Sequence, residues 1–106
     1  MMRMTAVVAL FPELRETELL TWVERGWVRP RPSGEEWEFQ DIDVARVRLI
    51  RDLRHDMAVQ EETMPLVLSL LDQLYALRGQ MRAVARAVEA QDEAVRAAIL
   101  AALRQQ

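Results

Sequence analysis

The stretch Thr21–Phe39, "TWVERGWVRPRPSGEEWEF", decides how the chain is read. It opens as the end of a helix, with Trp22 and Val23 apolar, and stops at Gly26, the residue type that most readily ends a helix in a left-handed conformation. Trp27-Val28-Arg29 predicts a short strand, and Pro30, Pro32, Ser33 and Gly34 a turn. In "EEWEF" the letters alternate, with Trp37 and Phe39 on one side and Glu36 and Glu38 on the other, which predicts a half-buried edge strand. A helix followed by such a hairpin carries a two-stranded wing. Chains of this shape often read DNA, yet Glu35, Glu36 and Glu38 stand where a phosphate would have to sit.

Upstream, Thr5 is placed to cap a short helix whose buried side is Val7, Val8, Leu10 and Phe11, and Pro12 ends it or bends the chain. A second helix runs from Glu16 to Arg25, with Leu19, Leu20, Trp22 and Val23 apolar. Two short helices joined by a tight turn make a helix-turn-helix. Downstream, Asp41 opens a third helix, and Asp43 in its first turn favours the positive helix end. Val44, Val47, Ile50, Leu53 and Met57 recur at helical spacing, Arg46, Arg48, Arg51 and Arg54 take the other sides, and the helix ends near His55-Asp56. Pro65 marks the start of a fourth helix, because proline fits a first turn and breaks an interior, so Glu62 or Thr63 is the expected cap.

That fourth helix carries the strongest periodicity in the chain. Val67, Leu70, Leu74, Leu77, Met81, Val84 and Val88 step alternately by three and four, the seam of a coiled coil. Met64, Leu68, Leu71 and Tyr75 form a second stripe beside its first half only. The expected geometry packs the start of the helix on the headpiece and runs the seam along a second copy of the chain. Gly79 is read as lying inside the seam, where it is expected to admit another backbone. Arg78, Arg82 and Arg86 lie beside it, where Asp72 and Glu89 could pair with them across an antiparallel dimer. Ala90-Gln91-Asp92 interrupts the helix, with Asp92 capping a last one that presents Val95, Ile99 and Leu103. The expected division is a headpiece over 1–60 and a dimerisation segment over 61–106.

Composition narrows the function. The 106 residues include no cysteine, which excludes disulfides and thiolate metal sites and suits a cytoplasmic home. The apolar run Ala6–Phe11 is too short for a signal-peptide core or a membrane span. The net charge is −3, and neither half is basic, so a large non-specific attraction to phosphate is not expected. The single histidine, His55, stands near a helix C-terminus, where a partial positive charge is favourable. Ser33 and Ser69 have no evident base, the pairs Asp41/Asp43 and Glu61/Glu62 read as helix-start charges, and there is no Gly-rich phosphate loop. A non-enzymatic protein without metal or cofactor is expected.

At "LLTWVERGWVRP", "WEFQDIDVARVRLIRDL" and "VLSLLDQLYALR" the chain resembles the MerR superfamily, from Leu19 to about Met81. Within it the chain is similar to the CbpM type, small modulators of DnaJ-like co-chaperones. The resemblance implies a mainly α fold: a winged helix-turn-helix headpiece with a two-stranded β-wing and a long antiparallel dimerisation helix. MerR-type effector sites often use cysteines on the long helix, and none is present here. Arg is common in the superfamily at the position of Glu24, and the second helix sets Glu16, Glu18 and Glu24 against Arg25 alone. A carboxylate beside phosphate repels it, and phosphate contacts supply most of the affinity for DNA.

The CbpM resemblance implies a partner with a basic surface, the J-domain of a DnaJ/CbpA-like co-chaperone, bound so as to inhibit its work with a DnaK-type chaperone. The expected docking residues are Glu16, Glu18, Glu24, Arg29, Arg31, Glu35, Glu36 and Glu38, with Trp27, Trp37 and Phe11 as either apolar anchors or core. The expected homodimer interface is Val67, Leu70, Leu74, Leu77, Met81, Val84 and Val88. The alternatives are a MerR-like DNA-binding regulator and a purely structural dimerisation domain.

Overall fold

The computed structural model describes residues 1–106. The elements are β1 (Met2–Arg3), α1 (Met4–Ala9), α2 (Glu16–Glu24), β2 (Arg31–Ser33), β3 (Glu36–Phe39), α3 (Asp41–Arg51) with a π-helical turn (Asp52–Asp56), α4 (Met64–Glu89) and α5 (Glu93–Arg104). The chain divides into two compact units, residues 1–66 and 67–106.

In the first unit α2 buries Leu19 and Trp22 and leaves Leu20 partly exposed. It stops as the sequence predicts. Gly26 has φ +75°, its N–H donates to the Val23 carbonyl at 3.0 Å, and the Trp27 N–H donates to the Trp22 carbonyl at 2.9 Å. That is a Schellman stop, which needs one left-handed residue.

The stop also explains why no strand forms at Trp27-Val28-Arg29. The Trp27 N–H is used to end α2, and its carbonyl accepts from Arg46 Nε at 2.9 Å. Trp27 and Val28 are then buried as core side chains. The first hairpin strand, β2, begins at Arg31 instead. Pro32 and Ser33 belong to it, not to the turn, and pair with Trp37 and Glu36. The turn is Gly34-Glu35, with Gly34 at φ +64° and Glu35 on the ordinary side of φ, as a two-residue type II′ hairpin requires.

Neither the two-stranded wing nor the edge position of "EWEF" survives. β1 pairs antiparallel with β3, Met2 opposite Phe39 and Arg3 opposite Glu38, so the sheet has three strands in the order β1-β3-β2 and β3 is central. Because β1 runs straight into α1, that helix starts at Met4 with Arg3 as its N-cap; Thr5 is inside it and caps nothing. Val7 and Phe11 are buried as expected, but Leu10 lies beyond the helix end and is half exposed.

α3 opens at Asp41 as expected, with Gln40 as its N-cap. The Gln40 N–H donates to Asp43 Oδ2 at 2.9 Å, which satisfies a donor that would otherwise be orphaned at the helix start. Val47, Ile50 and Leu53 enter the core, while Met57 falls past the π-helical turn and is exposed.

In the second unit α4 continues unbroken to Glu89. Asp92 caps α5 as predicted, accepting from the Val95 N–H at 2.9 Å. Val67 and Val88 of the heptad seam are half-buried and the five residues between them are exposed. Gly79 is not on the seam: counting Val67 as a heptad a residue puts Gly79 at f, the side opposite a and d. A Cβ there would meet nothing within 4 Å.

Candidate functional site

The part of a winged helix-turn-helix that would meet a ligand is the second helix and the wing. Once Leu19 and Trp22 turn one side of α2 inward, the outward side is fixed by the helical period. Glu16, Leu20 and Glu24 recur at one-turn spacing and are all exposed, with Thr17 and Thr21 beside them. The Thr21 hydroxyl donates to the Thr17 carbonyl at 3.0 Å, so it is satisfied within the helix.

Glu18 is different. Its carboxylate accepts from His55 Nε2, which lies 2.9 and 3.1 Å from the two oxygens, and Glu13 is 3.9 Å from Nδ1 on the other side of the ring. Trp22 meets the imidazole edge-on at 6.4 Å between centroids. His55 therefore engages a carboxylate on α2 and not the carbonyls at its own helix end. The contact ties the π-helical turn to α2 and takes Glu18 out of the freely exposed set. The sequence carries no local signal for this pair, because its members are 37 residues apart. A π-helical turn at such a join is itself common near functional positions.

The wing acids are compensated locally. Glu38 stands between Arg3 and Arg31 in the register of the sheet, and Arg3 forms an ion pair with Glu36. Directly opposed residues share a sheet face, so Arg3, Arg31, Glu36 and Glu38 form one charge-balanced surface. Glu35, in the turn, is exposed outside it. Arg29 is exposed and reaches back to the Gly26 carbonyl at 3.4 Å. Arg25, at the end of α2, lies over the Trp27 ring and pairs with Glu61 at 2.9 Å. Of the aromatic candidates, Phe11 and Trp27 are core residues, with the guanidinium groups of Arg48 and Arg51 5.7 and 5.9 Å from the Phe11 ring centre; Trp37 is half-buried.

The family model described as MerR HTH family regulatory protein matches residues 7–86. The chain belongs to that MerR family. The matched span takes in the headpiece and most of α4, including six of the seven seam residues, Val67 to Val84. No curated protein and no solved structure gives a significant match. The outward stripe of α2 carries two carboxylates and no cation. The structure groups no three His, Asp or Glu side chains in a metal-holding arrangement. No helix is long and apolar enough to cross a membrane.

Proposed function

We propose that this MerR-family protein is a non-enzymatic modulator of the CbpM type. It binds the J-domain of a DnaJ/CbpA-like co-chaperone in the cytoplasm and inhibits its action with a DnaK-type chaperone. The observation that carries the reading is the outward stripe Glu16–Leu20–Glu24 of α2. On a phosphate backbone those carboxylates are repelled, and a duplex-binding module depends on the opposite charge. Against a basic protein surface they steer encounter and suppress wrong partners. The protein acts as a homodimer through the exposed seam of α4.

A second reading has a specific observation behind it. Membership of a helix-turn-helix regulatory family, with Arg29 and Arg31 exposed beside the wing, favours a MerR-like DNA-binding regulator. Titration of the full chain against an isolated J-domain and against duplex DNA at about 0.15 M salt separates the two, since phosphate-driven binding weakens steeply with salt. The modulator binds the J-domain and leaves DNA free. Tight, salt-sensitive DNA binding with no J-domain signal rejects the modulator in favour of the regulator.

A further inference from the structure

The geometry points to Leu20 as the apolar anchor of a docking surface on α2 that takes an amphipathic basic helix. This rests on the protein-partner reading above and names the surface within it. Leu20 is 40 % exposed on a helix whose neighbouring apolar residues Leu19 and Trp22 are 0 % and 3 % exposed. One turn to either side stand Glu16 and Glu24, both exposed. Other acids of the headpiece are engaged within the chain: Glu18 by His55, Glu36 by Arg3, Glu61 by Arg25, and Asp43 by the Gln40 N–H. Glu16 and Glu24 form no ion pair or side-chain hydrogen bond of their own. The wing, by contrast, balances its own charge through Arg3 and Arg31.

The stripe is thus an apolar side chain between two uncompensated carboxylates at a spacing of four residues. An approaching helix with an apolar residue flanked at i−4 and i+4 by Lys or Arg has the same period and the opposite charge. Thr17 and Thr21 beside the stripe are short and let the two helices come close. His55 holds α2 from its other side through Glu18, so the stripe is presented on a fixed element. A preformed surface avoids part of the ordering cost of association. Interface energy concentrates in a few apolar or aromatic anchors, and surrounding charges act mainly on the rate of encounter. That division of labour is the specific content of the inference.

Two probes test it. The first is the isolated J-domain, titrated against the wild-type chain and against Leu20→Ala, Glu16→Gln/Glu24→Gln and the wing control Glu35→Gln. Leu20→Ala is expected to weaken binding at least tenfold, mainly through faster dissociation. The double glutamine variant is expected to slow association and flatten its salt dependence, and Glu35→Gln to stay within twofold of wild type. Circular dichroism checks that each variant keeps its helix content, which substitution of exposed side chains should preserve. If the J-domain binds wild type and Leu20→Ala equally well, the surface assignment is overturned while the modulator reading stands. The second probe is a synthetic amphipathic Lys/Leu helix added to isotope-labelled protein. Amide shifts confined to Glu16–Glu24 support the surface even if the J-domain fails to bind, in which case only the co-chaperone assignment is lost. A peptide footprint that avoids α2 overturns the surface.

Discussion

Replacing Leu74 and Leu77 of α4 with Glu asks whether the heptad seam pairs two chains. In the single chain these side chains are 41 % and 55 % exposed, so between them they have about one leucine's worth of surface still to bury. Full burial of one leucine stabilises by roughly 1.5–3 kcal/mol, so loss of both from each of two chains removes roughly 3–6 kcal/mol. At about 1.4 kcal/mol per factor of ten, this weakens the dimer roughly 10²–10⁴-fold before any charge is counted. The introduced carboxylates, buried without partners at an interface, raise the cost further. The same positions in an isolated chain are open to water, so the headpiece should melt as before. Sedimentation equilibrium over a range from about 1 to 100 µM gives the dissociation constant, and headpiece melting in the variant gives the control. A wild-type chain that sediments as a monomer at tens of micromolar would refute the reasoning, and so would a Leu74→Glu/Leu77→Glu variant that remains a dimer.

Gly26→Ala places a Cβ at φ +75° in open space, so its cost is conformational strain alone. A loss of about 1 kcal/mol is expected, read as a melting point lower by ~4–8 °C in calorimetry. Gly79→Ala should act in the opposite sense, stabilising α4 by about 1 kcal/mol. The f position is away from the seam, so self-association measured by sedimentation should not change. Asp92→Ala removes the side chain that accepts from the Val95 N–H. It should cost about 1 kcal/mol, seen as faster amide exchange across the first turn of α5 with protection of the headpiece unaltered.

Features with a local cause could be read directly from the sequence. Gly26 stops α2 because a left-handed C′ position favours the residue without a Cβ. Asp92 begins α5 because its carboxylate reaches a nearby N–H. The α4 periodicity needs only the helical repeat. What escaped depends on distant partners. β1 is two residues long and shows no alternation, and it becomes a strand only because β3 offers it an edge. Its pairing then shifts the start of α1 and makes Arg3 a partner of Glu36, which changes the reading of the wing from acidic to balanced. Trp27 and Val28 look like strand residues because they are bulky and apolar, but their backbone is committed to α2 and to Arg46. The docking residues suffer most from this. Glu18, Glu36 and Glu38 look free in the sequence, and the fold gives two of them partners and places the third between two arginines.

Pro32, in "RPRPS", restricts how any partner can approach. In a hairpin closed by a two-residue turn, the pair next to the turn is hydrogen-bonded and the following pair is not. Ser33 and Glu36 are the first pair and Pro32 and Trp37 the second, so residue 32 is the one whose N–H would point outward from the sheet. Proline has none to offer. The opposite edge, β1, is too short to template another strand. The sheet is therefore poorly suited to accept a partner by strand addition, a blunting that natural sheets use against edge-to-edge association. A partner is then left to side chains, and Glu16, Leu20 and Glu24 of α2 are the set proposed above.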